Sequence, residues 1–172
     1  MKEFEFFVEN KSVKKQRPDL NLAKASAGEG IERIAMAKSI FSSQKPKYAL
    51  ENAYEAVREV IDAILYLEGY KSYSHEASVA YLLKLGFSIS EAKAVDRLRQ
   101  KRNGIKYYGE DSTKDEATEA LKTAEIIINK LLSKKQVLKL TLIVISVSVA
   151  VGAFIGGLDY VFTKIMAIAL ER

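Results

Sequence analysis

The stretch Tyr48–Gly69, YALENAYEAVREVIDAILYLEG, repeats apolar residues at helical spacing and decides the fold class. Ala49, Ala53, Ala56, Val57, Val60, Ile61, Ile64 and Leu65 make one wide stripe, which a period of about 3.6 residues places on a single side of a helix. Pro46 stands where a helix begins without losing a needed donor, and Gly69 where one ends in a left-handed conformation. Tyr54, Arg58, Asp62 and Tyr66 follow one another four residues apart on a second face, read as surface and edge contacts with an Arg58–Asp62 pair.

Working outward, Leu22, Ala27, Ile31, Ile34, Ala35 and Phe41 predict an earlier helix from Asp19 to about Ser43, with Gly28 and Gly30 weakening its first turns. On the other side, Ser74 caps a third helix through Ala77, Ala80, Tyr81, Leu83 and Leu85, and Gly86 ends it. Ser88 and Glu91 have capping-box spacing and open a fourth helix near Ile89. Thr113 and Glu116 repeat that spacing before a fifth, with Ala117, Ala120, Leu121, Ala124, Ile127, Ile128 and Leu131 on its buried side. No alternating run rich in β-branched residues lies between residues 18 and 135, so this part reads as an all-α bundle of four to five helices. Residues 1–17 read as an N-terminal arm. Phe4, Phe6 and Val8 set against Glu3, Glu5 and Glu9 fit a short strand or a short helix, and Lys11 to Arg17 is a basic run closed by Pro18.

The last part, residues 136–172, is a different material. Leu140 to Leu158 is 19 residues without a charge. As a helix it would be about 28 Å long, the hydrocarbon thickness of a bilayer. One C-terminal transmembrane helix is therefore expected, contacting membrane lipid. Ser148, Gly152 and Gly156 give it a small face of the kind on which helices approach closely in lipid. Lys130, Lys134, Lys135 and Lys139 precede the span, while Asp159, Lys164, Glu171 and Arg172 after it sum to zero. The positive-inside bias predicts a single-pass protein of the cell membrane with its helical domain in the cytoplasm. With no signal peptide read at the N-terminus, the tail is the anchor.

Composition narrows the chemistry. The 172 residues are 48% hydrophobic, carry a net charge of +5, and include two prolines, one histidine and no cysteine. A disulfide framework, a thiolate nucleophile and a cysteine zinc site are excluded. A hydrolytic triad or a histidine metal site would have to be built around His75. No metal and no cofactor are expected. The modest positive charge suits an RNA-facing or membrane-adjacent protein as well as an ordinary soluble one.

Function is read in Asp96–Gly109, DRLRQKRNGIKYYG, which holds five basic residues between Arg97 and Lys106 and no acid there. Val95, Leu98 and Ile105 would hold one helical face to the core while Arg97, Arg99, Lys101, Arg102 and Lys106 fan outward. A basic run is often only a solvated face. Here Asn103–Gly104 is poor helix chemistry, and Tyr107 and Tyr108 add two rings with polar tips. The binding candidates are Arg99, Arg102, Asn103, Lys106, Tyr107 and Tyr108. Arginine supplies a fork for phosphate and a tyrosine a ring for a base to stack on.

ENAYEAVREVIDAILYLEGYKSYSHEASVAYLLKLG followed by VDRLRQKRNGIKYYGE resembles archaeal HEPN-domain proteins, over about Lys14 to Lys135. The resemblance implies a helical bundle that forms a homodimer and is encoded beside a minimal nucleotidyltransferase partner. In active members an Arg-x4-6-His motif at the dimer cleft cleaves RNA without metal. Arg102 and Asn103 match its start, but Tyr107 stands where the histidine is expected. Histidine titrates near pH 6.5 and exchanges protons at neutral pH; tyrosine ordinarily titrates near pH 10. The resemblance therefore implies a non-catalytic module that binds a nucleotide, RNA or a nucleotidyltransferase. The alternatives are a toxin-like ribonuclease, with Arg102 and Tyr107 as the candidate catalytic pair, and a structural dimer with a lipid-facing basic patch. His75, at a helix start, reads as structural or capping, and as the one available replacement base.

Overall fold

The structure is a computed structural model that describes residues 2–133 together with Gly156 and Gly157. The chain divides into two compact units, Met1–Leu132 and Ser133–Arg172. Apart from Gly156 and Gly157, which are helical and exposed, the expected span Leu140–Leu158 lies outside the described residues, with Ser148 and Gly152. Among the described residues no helix is long and apolar enough to cross a membrane.

The first unit is built on α3 (Pro46–Leu67), whose stripe from Ala49 to Leu65 is almost entirely buried. Each fully buried valine, leucine or isoleucine side chain contributes about 1.5–3 kcal/mol. α2 (Leu20–Ser42), α4 (His75–Lys84), α5 (Ile89–Tyr108) and α6 (Lys114–Leu132) all pack on it. Local chemistry sets the helix starts. The Asp19 carboxylate accepts from Leu22 N at 2.9 Å, and Ser74 Oγ accepts from Ala77 N at 3.3 Å. The capping box at α5 is complete, with Ser88 N donating to Glu91 Oε2 at 2.8 Å and Glu91 N to Ser88 Oγ at 3.2 Å. Thr113 and Glu116 make the same exchange at 3.0 and 3.2 Å.

Several readings are corrected. The unit is mostly but not wholly helical. β1 (Val13–Lys15) pairs antiparallel with β2 (Tyr70–Ser72), with Val13 opposite Ser72, Lys14 opposite Lys71 and Lys15 opposite Tyr70. Three residues are too few to show an alternating pattern. Of the alternatives left open for the N-terminal arm, the short helix is the one formed at its start: α1 (Phe4–Glu9) buries Phe4 and Phe7, and β1 buries Val13. On α2 the inward residues are Ala23, Ser26, Gly30 and Ala37, not the larger apolar ones, and Ile31 is exposed. Size explains the difference. A Cβ on Gly30 would lie 2.7 Å from Val60 Cγ2 and 3.0 Å from the Ala56 carbonyl oxygen, so α2 and α3 are in backbone-level contact there. The second face of α3 is not a surface either, since Tyr54 and Asp62 are buried.

Candidate functional site

α5 brings the basic stretch against α3. It runs unbroken through Asn103–Gly104 to Tyr108. Gly109, at φ 71°, ends it with its N–H returned to the Gly104 carbonyl. Gly104 is buried, and the carboxylate of the exposed Glu110 lies where its Cβ would be.

Arg102 does not fan outward. It is only 5% exposed, and its Nη2 pairs with Glu55 Oε1 of α3 at 2.5 Å. Its Nη1 donates to Asn103 Oδ1 at 3.1 Å and reaches Tyr107 Oη at 3.4 Å. The Arg102 Cζ lies 5.6 Å from the Tyr107 ring centroid. Tyr107 and Tyr108 are exposed. Arg99 turns back to Asp96 Oδ1 at 2.7 Å, and Lys101 pairs with Glu116 at 2.6 Å. Arg97 and Lys106 are solvent-facing, and Lys106 makes no ion pair among the described residues.

Glu55 belongs to a charge network along α3. Arg58 donates to Glu55 at 2.8 Å, Glu59 at 2.6 Å and Asp62 at 3.0 Å, and Ser78 of α4 donates to Asp62 at 2.8 Å. Burial alone would raise the Glu55 pKa, but Arg58 and Arg102 hold it below the usual carboxylate range. Burial pushes the Asp62 carboxyl up to about 6 against the pull of Arg58 and Ser78, with Glu59 and Glu55 adding to the rise. A carboxyl whose pKa rises on folding contributes stability below its unfolded pKa and loses it as pH rises through the folded one. The melting temperature of Asp62→Asn should therefore gain on the native chain between about pH 4 and 7, by the equivalent of about 2–3 kcal/mol. Arg58 keeps two carboxylates in that variant. A difference that stays flat across this range would refute the burial account.

His75 is held rather than free. Its Nδ1 is 2.9 Å from Tyr54 Oη, and the two rings stack with centroids 5.8 Å apart. Burial lowers its pKa, leaving the imidazole neutral at pH 7. Tyr54 adjoins Glu55, so the His75 pair and the Arg102 pair hang from neighbouring residues of α3.

A polar cavity of about 130 Å³ opens beside Arg102, lined by Arg33, Glu51, Asn52, Glu55, Arg102 and Lys106. Four of these were not singled out from sequence for a site: Arg33 on α2, and Glu51, Asn52 and Glu55 on α3. They are spread over two helices in no motif, and Glu55 carried no signal beyond an acid beside an apolar stripe. Arg33 Nη1 donates to Asn52 Oδ1 at 3.3 Å. Its Nε lies 2.8 Å from Glu29 Oε1 without hydrogen-bond alignment, so this buried N–H has no hydrogen-bond partner. Three cations and two carboxylates line the wall, with Arg33 also paired to Glu29 outside the lining. Among the described residues no group of histidines and carboxylates could hold a metal ion.

The fold and site define a helical bundle with a basic, carboxylate-braced cavity at the end of its Arg-Asn helix. Residues 23–135 match the family model of the HEPN domain, and the chain belongs to that family. The assignment is that of a nucleotide- or RNA-related module. Residues 131–170 match the model of SecE/Sec61-gamma subunits of protein translocation complex, a likeness that points to a membrane segment. No curated protein matches the chain.

Proposed function

We propose that this protein is a membrane-tethered, non-catalytic HEPN module that binds the phosphate of a nucleotide or of RNA in the Arg102 cavity. The observation that carries this is the cavity wall itself, where Arg33, whose Nε–H makes no aligned hydrogen bond to its Glu29 partner, and Lys106, without an ion pair among the described residues, supply cationic donors for an anion. Arg102 acts as the brace, since its charge is already spent on Glu55. At about 130 Å³ the cavity is below the usual size of a small-molecule pocket, so it seats a phosphate group and leaves the nucleoside outside. There the exposed Tyr107 ring offers a stacking surface. The SecE-like match over residues 131–170 and the lysines ahead of residue 140 support a C-terminal anchor with the bundle on the cytoplasmic side. The homodimer and the nucleotidyltransferase partner implied by the family resemblance belong to the same proposal, with Tyr107 and Tyr108 as exposed surface for either.

Calorimetric titration of the full chain in neutral detergent with adenosine and uridine monophosphates tests it. Arg33→Ala and Lys106→Ala should each weaken binding about tenfold or more, because a hydrogen bond to a charged group contributes about 1.5–3 kcal/mol. Both variants keep the Glu55–Arg102 pair and should keep the circular dichroism of the native chain. Absence of binding, or binding indifferent to both substitutions, would end the proposal.

A further inference from the structure

The short ribbon of β1 and β2 is longer in its hydrogen bonding than in its strands. Tyr73 N donates to the Ser12 carbonyl at 2.9 Å at one end, and Gln16 N to the Gly69 carbonyl at 2.8 Å at the other. Because side chains alternate along a strand, Ser12, Lys14 and Gln16 share one face with Lys71 and Tyr73, while Val13 turns to the core.

That outer face is chemically odd. Lys14 and Lys71 stand directly opposite each other. Opposed residues on one face have Cβ atoms about 4.5–5.5 Å apart, and like charges so placed are destabilising. Among the described residues, none of Lys11, Lys14, Lys15, Arg17 and Lys71 forms an ion pair. Tyr73 is 64% exposed, and Lys71 Nζ lies 5.7 Å from its ring centroid. The Lys71–Tyr73 contact is a stabilising interaction on this face, and Val13 and the backbone pairing hold the ribbon.

We infer that the outer face of the β1–β2 ribbon is a docking surface for single-stranded nucleic acid, its phosphates on Lys14 and Lys71 and one base stacked on Tyr73. The cationic pair neutralises a backbone, and the interleaved aromatic ring distinguishes a nucleic acid strand from a lipid head group. Position agrees with this. Tyr73 leads through Ser74 into His75, whose ring lies on Tyr54, next to the Glu55 that braces Arg102. The ribbon is thus linked to the cavity through the Tyr54–His75 ring pair and Glu55. The inference rests on the phosphate reading of that cavity for the class of ligand and for nothing else.

The test uses the full chain in neutral phosphatidylcholine nanodiscs and a labelled oligouridylate of about 12 nucleotides, with oligothymidylate of the same length to tell RNA from DNA. In the Lys14→Ala/Lys71→Ala double variant, affinity should fall about tenfold. The slope of log affinity against log salt should become shallower by about 1.4, at about 0.7 for each single-strand phosphate contact. Tyr73→Ala should weaken binding by a similar factor and leave the slope unchanged, because stacking releases no counterion. Mononucleotide titration should be unaltered in all these variants. If the ribbon variants change oligonucleotide affinity and slope while mononucleotides do not bind, the ribbon stands and the cavity proposal falls. Oligonucleotide binding indifferent to all three substitutions overturns the ribbon, even where mononucleotides still bind. It is equally overturned if neither oligonucleotide binds and the ribbon lysines serve only to hold phosphatidylglycerol vesicles.

Discussion

Glu55→Ala should destabilise the Met1–Leu132 unit by about 3 kcal/mol, read as a lower urea midpoint at unchanged slope. The size follows from who is left unpaired. Glu55 accepts from Arg58 and pairs with Arg102. Arg58 keeps Glu59 and Asp62, so its charge stays compensated. Arg102 keeps only the Asn103 amide oxygen and the Tyr107 hydroxyl, both neutral, at a side chain 6% exposed. Stranding a buried charge costs about 3–5 kcal/mol, and the remaining polar contacts put this case at the lower end. Arg102→Met in the Glu55→Ala background removes both charges and should recover much of the loss, a coupling that a double-mutant cycle reads directly. The pH sense is also set. The Glu55 pKa is lowered on folding, so the pair stabilises above the ordinary carboxylate pKa and its contribution is lost as pH falls through the folded value. A cost below about 0.5 kcal/mol would place Glu55 among ordinary surface positions and remove the brace from the site.

The same pair shows why part of the site could not be read from the chain. Capping is local chemistry, with donor and acceptor three residues apart, and Ser88–Glu91, Thr113–Glu116 and Ser74 are therefore legible before any fold is known. The apolar stripe of α3 is legible for the same reason. Arg102, by contrast, is a basic residue in a basic run, and periodicity sends it outward with Arg97 and Lys106. What turns it inward is Glu55, 47 positions earlier on another helix, and pairing between helices has no period. Asn103–Gly104 misled in the other direction. A glycine that is poor helix chemistry in isolation here sits buried inside an unbroken helix, with the carboxylate of the exposed Glu110 beside it. The β2 strand has its partner more than fifty residues upstream, and so left no local trace.

Gly28 and Gly30 carry this lesson to a measurable opposition. By helix propensity alone they are equivalent, each weakening the start of α2, and alanine at either should stabilise by about 0.5–1 kcal/mol. Packing separates them. A Cβ on Gly28 meets nothing within 4 Å, so Gly28→Ala should deliver that gain. A Cβ on Gly30 would sit 2.7 Å from a Val60 methyl and 3.0 Å from the Ala56 carbonyl oxygen. Val60 is itself 1% exposed, and the carbonyl belongs to the backbone of the central helix, so neither yields without moving α2 off α3. Overpacking of this kind costs about 1–3 kcal/mol, which outweighs the propensity gain, and Gly30→Ala should destabilise. Urea denaturation of the two variants should therefore place their midpoints on opposite sides of the native one. Since Arg33, on the cavity wall, is carried by the turn after Gly30, the displacement should reach the cavity too. Gly30→Ala is expected to weaken mononucleotide binding at 1 M-standard-state free energies by about 1 kcal/mol or less, whereas Gly28→Ala leaves it unchanged. Stabilisation by both alanines would mean that α2 and α3 are further apart than this close contact requires.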